Sequence, residues 1–161
     1  MTQLRRLPMC FACFFFFVCG LSAQTLQIIN AEGEATTLTA AQIAKLPHTT
    51  VKVRDHDADA QFVGVPLAAL LSSAGIQLGD AIRGPRMAEV LLVTAADGFK
   101  VAFALAECDP AFAPREIILA DQRDGKPLDA KEGPFRIIAP GDKRPARWIR
   151  QVTELRLIVA K

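Results

Sequence analysis

The chain has 161 residues, of which 51% are hydrophobic and 22% charged, with a formal net charge of +2 at pH 7. A balance this close to neutral excludes wholesale binding to nucleic acid, and the length suits one domain with its own core.

Residues 1–23 read as a secretory leader. Arg5 and Arg6 form a basic head, Met9 to Leu21 is a 13-residue apolar run, and Leu21-Ser22-Ala23 is a small-residue cleavage site. The run is short of the ~18–20 apolar residues of a membrane span, so a retained anchor is the lesser reading. A mature chain from Gln24, periplasmic or secreted, follows as the expectation. Three cysteines, Cys10, Cys13 and Cys19, lie in the leader. Cys108 remains alone, so a mature monomer forms no internal disulfide and must be stable through its core. Without Arg5 and Arg6 its cations equal its 17 acids.

Leu26 to Ile29 predicts a short strand. Thr39 and Gln42 have the spacing of a capping box, opening a helix that Pro47 stops. Thr50 to Val53 alternates as a strand, Asp55-His56-Asp57-Ala58 supplies turn chemistry, and Gln61 to Val63 returns as the second strand of a hairpin. Pro66 suits the first turn of a helix whose apolar face carries Leu67, Leu70, Leu71 and Ala74 and which Gly75 ends. Glu89 to Thr94 predicts a buried strand, joined through Asp97-Gly98 to the alternating Phe99 to Phe103. A helical turn over Leu105 to Glu107 precedes strands at Glu116 to Ala120, Pro134 to Ile138 and Gln151 to Val159, with Asp124-Gly125 as a further tight turn. About seven or eight short strands and a few short helices, with hairpin signals dominant, predict an α+β domain over residues 24–161. Its core is a mixed or antiparallel sheet.

Positive charge gathers at one place. Lys143, Arg144, Arg147 and Arg150 surround the only tryptophan, Trp148, within eight residues. Arginine forks bind phosphate or carboxylate at two points, and an indole face stacks on flat heterocycles or guanidinium. Trp148 is therefore a ligand platform or a core residue under a solvated loop. Other site chemistry is poorly served. The acidic run from Asp55 fails as a calcium loop, with Ala60 where glycine is needed and Pro66 where glutamate is needed. Zinc finds only His48 and His56.

Six segments occur in an order that resembles the oxidoreductase molybdopterin-binding domain, the sulfite-oxidase fold. They are Gly64-Val65-Pro66-Leu67, Thr94 to Phe99, Leu119-Ala120, Asp124 to Leu128, Gly133-Pro134-Phe135-Arg136 and Arg147-Trp148. The resemblance runs from about Val51 to Val159. It implies a pterin or molybdopterin held between sheet and loops. It also implies a molybdenum-ligating cysteine shortly before the segment matching Gly64 to Leu67, but Val51 to Asp57 contains none and Cys108 lies far downstream. A harder aspartate or histidine ligand would not replace a soft thiolate in oxygen-atom transfer. The family's basic loop has lysines where this chain has Arg144 and Arg147, and a serine where it has Pro145.

Arg54, Asp55 and His56 fall in the segment of the missing metal ligand. They either line a metal-free pterin pocket or form a polar turn in water. Arg54, Asp55, His56, Arg144, Arg147 and Trp148 are thus the candidate cofactor-binding residues, with no catalytic or metal-binding set. Arg123 and Arg136 are possible additions to the anion site, and Asp97 serves its turn. The expected function is an exported pterin- or molybdopterin-binding domain, a non-catalytic sensor or carrier that answers to a membrane-bound signalling or redox partner. The alternatives are a molybdopterin-dependent oxidoreductase with altered metal ligation and an interaction module with a vestigial pocket.

Overall fold

The computed structural model describes residues 24–114 and 116–160, so the expected leader at 1–23 lies outside the described residues. Two sheets share one apolar core. Strand β1 (Thr25–Ile29) pairs antiparallel with β2 (Ala35–Thr39) and parallel with β10 (Val152–Val159). On the other side of β10 come β5 (Glu89–Ala95) and β6 (Lys100–Ala104), giving the order β2-β1-β10-β5-β6. The second sheet runs from β3 (Thr49–Asp55) through β4 (Ala58–Pro66) to β7 (Ile118–Arg123). The far side of β7 is shared by β8 (Lys126–Pro127) and β9 (Arg136–Ile138).

Local chemistry explains most of these boundaries. Helix α1 (Ala40–Ile43) starts where Gln42 N–H donates to Thr39 Oγ1 (3.3 Å) while Thr39 N–H donates to Gln42 Oε1 (2.8 Å). Helix α2 (Leu67–Ser73) buries Leu67, Leu70 and Leu71, each contributing about 1.5–3 kcal/mol, and ends before Gly75 at φ +83°. The β7–β8 turn places Asp124 and Gly125 at φ +50° and +76°, the pattern of a two-residue hairpin whose twist matches its strands. Gly64 has a different reason to be glycine. At the bulge where β4 meets β7, a Cβ there would sit 2.2 Å from the Leu119 carbonyl oxygen.

The α+β fold class with its mixed sheet is as the sequence predicts. The division into two sheets, and the strands β2 and β8, are not. Strand β2 (ATTLT) has no buried residue, so its apolar pattern is weak; pairing with β1 defines it. Strand β8 is two residues long. Short 3-10 turns also form at Gly79–Ala81, Gly84–Ala88 and Pro145–Arg147, while that at Leu105–Cys108 fits the expected helical turn.

Candidate functional site

The β3–β4 hairpin ends in a two-residue turn, His56-Asp57, with His56 at φ +59°. Histidine tolerates this left-handed conformation better than most side chains, and the turn sets two neighbours in opposite environments. Asp55 points inward and is buried; His56 has 66% of its side chain exposed. His56 Nδ1 lies 2.9 Å from Asp55 Oδ1.

Beneath the turn is a compact set of charges. Arg136, on β9, is only 1% exposed. Its Nη1 donates to Asp55 Oδ2 (3.0 Å) and Glu132 Oε1 (2.9 Å), and its Nη2 lies 3.3 Å from Asp55 Oδ1. Arg123 Nη1 reaches the same two carboxylates at 3.2 and 3.0 Å. Two cations thus balance two anions. The Arg136 guanidinium sits over the Phe62 ring (5.2 Å) and the Trp148 ring (5.8 Å), within cation–π distance of each. Burial raises the Asp55 carboxyl, but hydrogen bonds from Arg136 and His56, with the charges of Arg136 and Arg123, outweigh it and hold Asp55 below its ordinary value.

Over this cluster opens a cavity of about 350 Å³, within the range of small-molecule sites. His56 and Arg136 form one wall. Ala95, Asp97 and Phe99, from the β5–β6 turn, form another. Pro145, Ala146 and Trp148 to Gln151 form a third, and Lys131 stands at the edge. The β5–β6 turn is fixed by its own bonds: Asp97 Oδ1 accepts from Phe99 N–H (2.9 Å), and Ala95 N–H donates to Phe99 O (2.9 Å).

The structure therefore brings two of the six sequence candidates, His56 and Trp148, to the lining of one cavity, with Asp55 directly behind. It does not bring the others there. Arg54 follows the alternation of β3 onto the outer face, donates to the Asp57 carbonyl (3.3 Å) and lines a separate hollow with Lys52 and Asp124. Arg144 is exposed and lines none of the described cavities around it. Arg147 turns the other way. Its Nε and Nη2 grip Asp142 at 3.0 and 2.7 Å, its Nη1 meets Glu107 at 3.2 Å, and its guanidinium lies 4.4 Å from the Phe103 ring. It faces a cavity lined by Glu107, Ile117 and Asp142. Trp148 is 5% exposed and its Nε1–H donates to the Ala139 carbonyl (3.0 Å), so it forms a wall with little open face.

Sequence reasoning missed Lys131, Phe99 and Gln151 as lining residues, and it left Arg136 without a partner. One signal was available: an arginine inside the apolar run Phe135 to Ile138 must be buried, and a buried guanidinium requires carboxylates. Arg136 and Arg123 are not open anion sites, because Asp55 and Glu132 already hold them.

The cavity suits the organic part of a pterin cofactor better than its metal. It offers an imidazole, an aromatic ring and two exposed cations, Lys131 and Arg150, to a flat polar ligand. It contains no cysteine. Cys108 is buried in the 3-10 turn after β6, with Sγ 3.7 Å from the Ala104 carbonyl. Burial first, and the Glu107 charge second, push its thiol up to about 12. Among the described residues no group of three or more His, Cys, Asp or Glu side chains is arranged to hold a metal ion. A thiolate-bound molybdenum does not fit this lining.

Comparison with known proteins agrees with the fold. The family described as oxidoreductase molybdopterin binding domain matches residues 54–160. Among solved structures, the sulfane dehydrogenase SoxCD from Paracoccus pantotrophus is similar at a TM-score of 0.65 with 19% sequence identity. The match covers 83% of this chain but 38% of that one, so the likeness is of fold over part of a longer protein. No curated protein matches the sequence.

Proposed function

Since the chain belongs to the oxidoreductase molybdopterin-binding domain family, we propose that it binds a pterin-type molecule in the cavity between His56 and Trp148 without thiolate-held molybdenum. It then serves as a non-catalytic sensor or carrier. In this reading the protein is exported by its leader and presents its ligand state to a membrane-bound partner. The observation that carries the proposal is the pairing of an open cavity of about 350 Å³ at the family's matched region with a thiol, the only one among the described residues, buried outside it. The buried Asp55–Arg136 pair supports it by holding the His56 turn and the Trp148 wall in fixed relation. Preorganised walls bind without the entropic cost of ordering them.

The test is titration of the purified chain with molybdopterin and with metal-free pterins. Trp148 is the only tryptophan and the chain has no tyrosine, so its emission reports on one cavity wall. Saturable change with a metal-free pterin is expected. Absence of binding by every pterin would end the proposal. Stoichiometric molybdenum in protein taken from its native source would favour the oxidoreductase alternative instead.

A further inference from the structure

The sequence leaves Trp148 as a ligand platform or a core residue, and its indole is nearly enclosed, with Arg136 beside one face and its N–H committed to Ala139. A different aromatic side chain is open. Phe99 is 55% exposed and lines the same cavity. The other exposed large apolar residues, Met87, Phe112, Ile158 and Val159, do not line it.

The Phe99 backbone is tightly held. Asp97 Oδ1 accepts its N–H, its carbonyl accepts from Ala95, and Gly98 N–H donates to the Ala95 carbonyl (3.0 Å). Gly98 takes φ +85°, which lets the turn close before the ring. A phenyl ring has two side-chain torsions, so fixing it against a ligand loses little conformational entropy. Half of its apolar surface faces water until something covers it. The polar groups that share the cavity are His56, Asp97, Lys131, Arg136, Arg150 and Gln151, with cations outnumbering the one acid. A ligand that satisfies both must offer an apolar π face to the ring and polar or anionic groups at its edge.

We infer that Phe99 is the stacking platform of this cavity, and that it selects ligands containing a flat conjugated ring with an anionic or strongly polar edge. The inference rests on the small-molecule reading of the site, and it assigns to Phe99 the platform role that was one of two sequence readings of Trp148. The walls hold the ring from one side and the exposed cations meet the charged edge.

The test uses 6-carboxypterin, with guanine as a flat bicycle that is not a pterin, titrated calorimetrically into the wild-type chain and into Phe99→Ala, Phe99→Leu and Phe99→Tyr. Stacking of a heterocycle on an aromatic side chain predicts that Phe99→Ala weakens binding about ten-fold. Phe99→Leu, which keeps apolar area but lacks a π face, is expected to weaken it nearly as much, and Phe99→Tyr to restore it. Thermal unfolding should be almost unchanged in all three, because the ring is exposed. Wild-type affinity in Phe99→Ala, or full recovery in Phe99→Leu, overturns the stacking role while leaving pterin binding intact. Phe99-dependent binding of guanine without any pterin binding keeps the stacking role and removes the pterin reading. Failure of the wild-type chain to bind either probe removes the stacking role, and failure with molybdopterin and every other pterin as well removes the pterin reading too.

Discussion

Asp55→Asn removes the charge that the site is built around. In the wild type Asp55 accepts from both Arg136 terminal nitrogens, from Arg123 Nη1 and from His56 Nδ1, with separations of 2.9 to 3.3 Å. The amide keeps one acceptor oxygen and turns an NH2 group toward guanidinium donors. Arg136 is 1% exposed and cannot recover water; its remaining partner is Glu132 at 2.9 Å. Breaking one side of a buried ion pair costs ~3–5 kcal/mol, and the surviving Glu132 contact puts this case near 3. That is a large part of the ~5–15 kcal/mol that holds a domain together, and lowers Tm by roughly 10 °C. Urea unfolding followed by Trp148 emission measures it directly. The pH dependence has a definite sign. Asp55 is held below its ordinary value of 3.8 when folded, so its contribution is complete above that value and is lost as pH falls through the folded value. The difference between wild type and Asp55→Asn should therefore be flat at neutral pH and shrink in acid below about 3.8. A neutral-pH loss under about 1 kcal/mol, the scale of a surface pair, would refute the view that this buried cluster fixes the turn.

Gly64→Ala should prevent stable folding or destabilise by several kcal/mol, since its Cβ would meet backbone 2.2 Å away; circular dichroism melting checks this. Cys108 should resist alkylation at pH 8 in the native chain and react on denaturation, because its thiol is buried and raised to about 12; peptide mapping distinguishes it from Cys10, Cys13 and Cys19. Arg147→Ala should lower stability by ~1 kcal/mol through its lost contacts with Asp142 and Glu107, yet leave affinity for a bound pterin within two-fold. Combined Lys131→Ala and Arg150→Ala should do the reverse, weakening 6-carboxypterin about ten-fold at low salt with unfolding unchanged, as calorimetry at two salt concentrations would show.

What could be read from the sequence and what could not divides along a physical line. Turns were legible because their chemistry is local: Asp97-Gly98, Asp124-Gly125 and the Thr39–Gln42 box act through neighbouring atoms. The position of His56 at a hairpin tip followed from the same logic. The sheet partners were less legible, because pairing β1 parallel to β10 depends on residues more than a hundred positions apart. Side-chain direction was the least legible. Arg147 and Trp148 are adjacent, yet the 3-10 turn over Pro145–Arg147 sends the arginine to Asp142 and Glu107 and the indole into the core. Charge density along the chain marked the right loop and included Arg150, but Lys143, Arg144 and Arg147 do not line this cavity and Lys131 lies outside the cluster. The exposure of Phe99 could not be foreseen either, since a phenylalanine opening an alternating strand reads as core.

A crystal structure of the chain soaked with 6-carboxypterin puts the proposal to its sharpest test. Bicyclic density is expected between His56 and Trp148, with its face on Phe99 and its carboxylate toward Lys131 or Arg150. Density instead in the hollow beside Glu107 and Arg147, or a metal bound to a cysteine sulfur, would contradict it.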